Sequence, residues 1–303
     1  MSAGVAAAAA PMLGSVSPVR KRALRIAHLT DIHVQPERNA DKGMARCLEF
    51  VNGLSDKPDV IFTGGDLIMD AFGADYARTK LQWDMFLKVL ADHNSIPVEH
   101  CIGNHDIWNG PGKTEENEKL YGRQWACDVL GLSRTYRSFD RNGWHVVVIE
   151  GVEIQEGGGY KARLDEPQFE WLTEDLARTP KTTPTLVLSH IPILSSTCYF
   201  LGDNEKTGNW VVPGAWMHLD ARRIKGLFAA NPQVKVCIAG HMHLVDRVDY
   251  NGVTYFCDGA VSGGWWNGPN QEFAPGIALV DLYDDGSFDR TYVPWGWTPE
   301  LLE

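Results

Sequence analysis

The sequence lacks any uninterrupted apolar run long enough to cross a bilayer, which predicts a chain with no transmembrane segment. It contains no His-Glu-x-x-His segment, which argues against a mononuclear metalloprotease. Positive charge is scarce, because 28 Lys and Arg residues face 39 Asp and Glu residues and give a net charge of -11. This balance argues against a nucleic-acid-binding surface. It does not exclude an anionic substrate, since bound divalent cations would dominate the field inside a cleft.

The six cysteines also lack the Cys-x-x-Cys spacing of common metal and redox motifs, and we assign them no chemistry. Three of them lie in apolar, strand-like runs, where a free thiol behaves as a small hydrophobic side chain. An even number of cysteines would permit disulfides in an oxidising compartment, and the sequence leaves that point open.

Residues 1–19 are dominated by Ala, Gly, Ser and Pro, and we exclude this leader from the fold. Ala3-Gly4-Val5 followed by an alanine tract resembles the apolar and cleavage end of an export signal, of the twin-arginine type. That interpretation predicts an exported, periplasmic protein. The alternative is a disordered low-complexity leader on a cytoplasmic protein.

From residue 24 onward, segments with the alternating pattern of strands follow segments with apolar residues at helical spacing. The predicted strands cover residues 24–30, 60–63, 97–102, 144–149, 185–189, 234–238, 253–257, 277–282 and 288–293. The predicted helices cover residues 44–54, 76–93, 115–130, 165–176 and 220–230, and a capping box of Asp165, Pro167 and Gln168 opens the fourth. Residues 191–219 form a predicted loop excursion and a candidate lid. No interdomain linker is visible, so we predict one α/β domain over residues 20–303.

Short polar motifs stand at the ends of five predicted strands, where open α/β sheets place their ligands. These motifs are Asp31-Ile32-His33, Gly65-Asp66, Asn104-His105-Asp106, His190 and His241-Met242-His243. Each motif alone is more often a solvated loop, a turn or a buried core histidine than a functional site. Five of them in a fixed order, each closing a strand, favour one shared site over coincidence.

Imidazole and carboxylate ligands without thiolates suit Mn, Fe, Zn or Co rather than Ca. A carboxylate such as that of Asp66 can bridge two cations, as in hydrolytic two-metal sites. The Asp31-x-His33 and His241-x-His243 pairs skip one residue. Both side chains of each pair are therefore expected to face one side of an extended backbone.

The ordered set of motifs resembles that of the calcineurin-like metallophosphoesterases, over residues 24–260. The resemblance implies a four-layer αββα sandwich, in which helices flank two mixed central sheets. It also implies a dinuclear site with two divalent transition-metal ions. The resemblance assigns Asp31, His33, Asp66 and His243 to one metal and Asp66, Asn104, His190 and His241 to the other.

The same resemblance implies phosphoester hydrolysis by a hydroxide that bridges the metals. His105, steadied by Asp106, would protonate the leaving oxygen or stabilise the charge of the transition state. Met69 occupies the position where purple acid phosphatases carry a metal-binding tyrosine, so a tyrosinate-ligated ferric site is not expected. The pattern is most similar to bacterial members that include cyclic-nucleotide phosphodiesterases.

Substrate preference has weaker signals. Trp108, Trp265 and Trp266 lie near predicted strand ends and are candidate substrate-binding residues, although packing in the core is the common role of tryptophan. No arginine cluster for a terminal phosphate is visible, which favours a small phosphodiester over a phosphomonoester. A phosphatase is the alternative. A scaffold without catalysis is a third possibility, but no ligand of the motif set is missing. The sequence leaves the oligomeric state open.

Overall fold

The computed structural model describes residues 20–299. The predicted leader over residues 1–19 lies outside the described residues, so export stays a prediction. The single domain over residues 20–303 also stays a prediction. Within residues 20–299, no helix is both long enough and apolar enough to cross a membrane. All six cysteines are buried and free.

The described elements alternate in the order that the hydrophobic pattern predicted for most of the chain. The strands are β1 (Arg22–Leu29), β2 (Val60–Gly64), β3 (Val98–Cys101), β4 (Arg137–Arg141), β5 (Trp144–Ile149), β6 (Val152–Ile154), β7 (Tyr160–Ala162), β8 (Thr185–Ser189), β9 (Val234–Ala239), β10 (Val245–Tyr250), β11 (Val253–Asp258), β12 (Gly276–Tyr283) and β13 (Phe288–Pro294). The α-helices are α1 (Ala40–Asn52), α2 (Tyr76–His93), α3 (Gln124–Leu130), α4 (Glu166–Arg178), α5 (Asn204–Thr207) and α6 (Ala221–Ala229).

Two mixed sheets form the centre of the molecule. The first has the strand order β13-β12-β1-β2-β3, and the second has the order β10-β11-β9-β8-β5-β4. In the first sheet β1, β2 and β3 are parallel, and in the second β5, β8, β9 and β11 are parallel. Antiparallel pairs lie at one edge of the first sheet, where β12 meets β13, and at both edges of the second, whereas β3 is a parallel edge strand. The carboxyl ends of the parallel strands therefore lie on the same side of each sheet, and the polar motifs follow these ends.

Alternation of side chains along the strands creates three apolar layers. On β1, Leu24 and Ile26 enter the core between the two sheets, whereas Ala27 and Leu29 pack in the core that contains α1 and α2. On the second sheet, Val147 and other outward residues pack against α4 and α6. The resulting order of helices, sheet, sheet and helices confirms the predicted four-layer α/β fold.

Several local predictions were incomplete. The strands β4, β6, β7 and β10 were not predicted, and the helix predicted over residues 115–130 is an α-helix only over Gln124–Leu130. Asp165 caps α4 as expected, since its side chain accepts a hydrogen bond from the backbone N of Gln168. The Gln168 side chain does not complete a capping box. It exchanges two hydrogen bonds with the backbone of Glu150 and so joins α4 to the end of β5.

Candidate metal centre

The predicted ligands meet where the two sheets adjoin. Asp31 and His33 follow β1, Asp66 follows β2 and Asn104 follows β3, so the first sheet supplies these four residues. The second sheet supplies the remaining three, which are His190 after β8 and His241 and His243 after β9. Six of the seven side chains belong to fully buried residues, and His241 is partly buried. Residues separated by more than 200 positions thus share one site.

Five of these residues have a left-handed backbone, which corrects the expectation of extended pairs. Their φ angles are 55° at Asp31, 49° at His33, 53° at Asp66, 71° at His241 and 54° at His243. This conformation costs roughly 1–2 kcal/mol for a residue with a side chain. Backbone hydrogen bonds hold the loops in place, among them those from Asp31 N to Gly65 O and from His33 N to Asp66 O, both 3.0 Å long. Such strain is concentrated at functional sites.

One ligand group consists of Asp31, His33 and His243, with one donor atom from each within 4.8 Å of the others. His243 Nε2 lies 3.0 Å from His33 Nε2 and 3.2 Å from Asp31 Oδ1. His243 Nδ1 donates a hydrogen bond to the carbonyl of Gly263, 2.6 Å away. This bond fixes the tautomer, so that the lone pair of Nε2 points at the group.

A second ligand group consists of Asp66, His190 and His241. His190 Nε2 lies 3.1 Å from Asp66 Oδ2 and 3.2 Å from Asn104 Oδ1. Backbone carbonyls again fix the imidazoles, because His190 Nδ1 donates to Gly64 and His241 Nε2 donates to Ala215. The free lone pairs are therefore those of His190 Nε2 and His241 Nδ1.

Asp66 stands between the two groups. Its Oδ2 lies 3.7 Å from His33 Nε2 and 3.1 Å from His190 Nε2, one imidazole from each group. The backbone N of His105 donates to Oδ1 of the same carboxylate, at 2.8 Å. This position is the one that a carboxylate shared by two cations would need.

The electrostatics of the groups suit cation ligands. Burial opposes the charge on Asp66, but the neighbouring His190 and His105 outweigh it and hold the pKa of this carboxyl well below its usual value. Burial likewise opposes the charge on Asp31, and His243 outweighs it, so that the pKa of Asp31 is also low. Both carboxylates are therefore ionised at neutral pH, as ligation requires.

The donor set fits a transition-metal cation. Two imidazole nitrogens that face each other at 3.0 Å need a proton or a cation between them, and His33 Nδ1 is buried without a hydrogen-bond partner among the described residues. Nitrogen and carboxylate donors without thiolates favour Mn, Fe, Zn or Co.

The predicted role of Asp106 was wrong, because its carboxylate does not contact the His105 imidazole. It accepts hydrogen bonds from the backbone N atoms of Leu67, Ile68 and Gly103, at 2.8, 3.3 and 2.8 Å. Residues 104–106 form a 3-10 turn, which sends successive side chains in different directions. Asp106 therefore fixes the loops that carry Asp66 and Asn104.

The carboxylate that faces His105 belongs to Asp70, whose Oδ1 lies 3.8 Å from His105 Nδ1. This distance is too long for a direct hydrogen bond. Asp70 was not predicted as a site residue, although it stands only four positions after Asp66. The His105 ring itself lies edge-on to His33, with ring centroids 4.9 Å apart. His105 therefore adjoins the first ligand group.

A cavity of about 410 Å³ opens onto both ligand groups. Among residues 20–299, neither an arginine nor a lysine lines it. Four lining residues were not among the predicted site residues, namely Tyr160, Leu201, Trp216 and Asn270. Leu201 and Trp216 come from the predicted lid segment, which thus borders the site. The full lining is His33, Asp66, Asn104, His105, Tyr160, Leu201, Trp216, His241, Met242, His243, Trp265 and Asn270.

Only one of the three candidate substrate tryptophans borders this cavity. Trp265 is 39% exposed, and its ring centroid lies 4.4 Å from that of His243. Trp108 and Trp266 are 0% and 1% exposed and belong to the core beneath the site, so neither presents a face to a substrate. The Trp266 indole donates to the carbonyl of His33, at 3.0 Å. It supports a ligand loop instead.

The sequence profile of the calcineurin-like phosphoesterases matches residues 24–245, a span that includes every residue of both ligand groups. The chain belongs to this family. It is a metal-dependent hydrolase of phosphoric esters, and its relatives include phosphodiesterases and phosphatases.

Two curated relatives are named as cyclic-nucleotide phosphodiesterases. The chain is 26% identical to the 3',5'-cyclic adenosine monophosphate phosphodiesterase CpdA of Escherichia coli, over 76% of the chain and 73% of that protein. It is 26% identical to a 3',5'-cyclic-nucleotide phosphodiesterase of Nostoc, over 88% of the chain and 91% of the relative. The human serine/threonine-protein phosphatase CPPED1 is 30% identical over 49% of the chain and 44% of its own length.

Solved structures share the fold of this calcineurin-like phosphoesterase. A dimetal phosphatase from Danio rerio superposes with a TM-score of 0.60 at 13% identity, over 91% of the chain and all of the phosphatase. At that identity the likeness concerns the architecture alone.

Proposed function

We propose that this calcineurin-like phosphoesterase hydrolyses small phosphodiesters, nucleotide-type diesters among them, with two divalent transition-metal ions in the metal centre. Asp31, His33 and His243 would hold one ion. Asn104, His190 and His241 would hold the other, and Asp66 would serve both. When bound, such a pair of cations neutralises phosphoryl oxygens and makes water a nucleophile at neutral pH.

The observation that carries the diester assignment is the absence of Arg and Lys from the lining of the cavity. A phosphomonoester carries close to two negative charges at neutral pH, and cationic side chains commonly bind its free oxygens. A diester carries a single charge and has two esterified oxygens, so it needs fewer such partners. The two relatives named as cyclic-nucleotide phosphodiesterases support the same substrate class.

His105 provides the proton donor in this proposal. Its Nδ1 is buried without a hydrogen-bond partner among residues 20–299, while its side chain is 29% exposed. The exposed edge of the ring therefore contains Nε2, and that atom faces the cavity. A proton at His105 Nε2 would pass to the leaving oxygen as its bond to phosphorus breaks, and a positioned acid of this kind contributes roughly 100- to 10,000-fold to the rate.

A phosphomonoesterase is the alternative that a specific observation favours. The similarity to CPPED1 covers 150 residues at 30% identity, and that relative is named as a protein phosphatase. The ligand groups alone do not discriminate, since one such centre serves both ester classes.

A hydrolysis panel separates the two functions. The metal-free protein is loaded with Mn, Fe, Zn or Co and offered bis-p-nitrophenyl phosphate, p-nitrophenyl phosphate and 3',5'-cyclic nucleotides. We expect kcat/KM to be higher for the diesters with at least one metal. Faster hydrolysis of p-nitrophenyl phosphate with every metal would establish the phosphatase instead, and inactivity on all substrates would refute both.

A further inference from the structure

Tyr160 is a residue of the cavity that no motif includes. It lies on β7, which pairs with β6 in a two-stranded sheet outside both central sheets. The ring packs edge-on to Phe72 and His241, with centroid distances of 5.7 and 6.3 Å. These contacts hold the phenol at the border of the second ligand group.

The Tyr160 hydroxyl makes no hydrogen bond with any residue in the part of the chain that the structure describes, so its O–H remains able to donate to a ligand. By contrast, the Asn270 amide in the same cavity already donates to the carbonyl of His243, at 3.3 Å. The phenol is thus a donor in the cavity that the fold itself does not use.

His105 and Tyr160 stand beside different ligand groups. The His105 ring lies 4.9 Å from His33 in the first group, and the Tyr160 ring lies 6.3 Å from His241 in the second. A substrate phosphoryl group between the ligand groups would therefore meet one donor on each side. Without Arg or Lys in the lining, donors such as the His105 imidazole and the Tyr160 phenol have to supply the protein's own hydrogen bonds to the phosphate ester.

We propose that Tyr160 is a catalytic residue, whose hydroxyl donates a hydrogen bond to a non-bridging phosphoryl oxygen on the His241 side, whereas His105 serves the leaving oxygen. This inference rests on the proposed phosphoester hydrolysis. The negative charge on the non-bridging oxygens is what the substrate brings to the cavity and what the donor stabilises. Loss of one donor aimed at developing charge can lower kcat by roughly 100- to 1,000-fold.

The test compares Tyr160→Phe with the matched variant Tyr250→Phe, whose residue lies on the outer strand β10 and is 43% exposed. Both variants keep the aromatic ring. Each is loaded with the most active metal and assayed on aryl methyl phosphates, whose leaving phenols range from 4-nitrophenol to unsubstituted phenol. Metal content is measured by elemental analysis. Affinity for vanadate, a mimic of the transition state, is measured by calorimetry beside that for phosphate.

We expect Tyr160→Phe to lower kcat by roughly tenfold or more and by the same factor for every leaving group, with metal content unchanged. Vanadate affinity should fall more than phosphate affinity. Tyr250→Phe should match the wild type. His105→Ala should instead lose more activity as the leaving phenol becomes poorer.

Three outcomes would overturn the assignment. They are a kcat for Tyr160→Phe within twofold of wild type, a loss of metal that accounts for the lost activity, or a loss that grows with poorer leaving groups as in His105→Ala. In each case the wild type is active, so the proposed function survives while the role of Tyr160 does not. An inactive wild type would remove the proposed function itself.

Discussion

Replacing Gly103 with alanine should displace the Asp66 carboxylate, the proposed shared ligand, without changing any ligand residue. The backbone at Gly103 is extended, with φ of -112° and ψ of -172°, so alanine can adopt it without conformational strain. Its Cβ would lie 2.5 Å from the backbone N of Asp66 and closer still to the Asp66 carboxylate. Ordinary van der Waals contact begins at 3.4 Å, so Asp66 has to move by about 1 Å.

The size of the effect follows from that displacement. Overpacking of a close-packed site costs about 1–3 kcal/mol of the free energy of unfolding. Misplacement of a ligand that serves both groups should weaken metal binding by about tenfold or more, the range found when partners of metal ligands are removed. Urea unfolding of the metal-free protein measures the first quantity, and calorimetric titration with the metal measures the second.

Gly226→Ala provides the matched control. Gly226 lies in α6, and a Cβ there would meet nothing within 4 Å. That variant should bind metal as the wild type does and should gain about 0.5–1 kcal/mol, because alanine favours the helix. Unchanged metal affinity in Gly103→Ala would refute the argument that Asp66 is the shared ligand held against residue 103.

Two further predictions concern the site, and a third concerns a buried histidine outside it. His105→Ala should retain its metals and lose most turnover, whereas Asp66→Ala should lose metal too; elemental analysis beside kcat tests this division, and equal metal loss in both would contradict it. Burial lowers the pKa of His145, but Asp175 and a second aspartate outweigh it and raise that pKa above its usual value. The contribution of protonated His145 to the free energy of unfolding is fully present below about pH 6.5, and it is lost as the pH rises through the folded-state pKa of His145. Urea unfolding of wild type and His145→Gln should therefore differ less at pH 9 than at about pH 6. Trp265→Ala should raise KM for cyclic nucleotides by about fivefold or more at an unchanged Tm, which steady-state kinetics and calorimetry would show.

The central fold was predictable because its signals are local. Strands β5 and β8 contain the unbroken apolar runs 146–149 and 186–188, and α1 buries Met44, Cys47, Leu48 and Val51 at helical spacing. The polar motifs follow parallel strands, and the carboxyl ends of such strands meet at one edge. Hence the ligands could be grouped before any distance was known.

The rest depended on contacts between distant segments. β6 and β7 are three residues each, too short for a periodic pattern, and they bring Tyr160 to the cavity only through the surrounding fold. Trp108 and Trp265 occupy similar positions after predicted strands, yet one is buried and the other exposed. The left-handed backbone of Asp31 and His33 had no signal either, because glycine is the residue that normally marks it.

The metal centre draws on both sheets, and that origin has a consequence for the whole molecule. A cation bound by Asp31, which follows the first sheet, and His243, which follows the second, would link the two sheets. Free metal at a concentration a hundredfold above its Kd would raise the free energy of unfolding by about 2.7 kcal/mol. Conversely, a smaller side chain at Phe62 or Ile238, in the apolar layer between the sheets, would weaken the packing that holds the two halves of the metal centre together and so lower its metal affinity. Thermal stability and metal affinity would therefore change together when the packing between the two sheets changes.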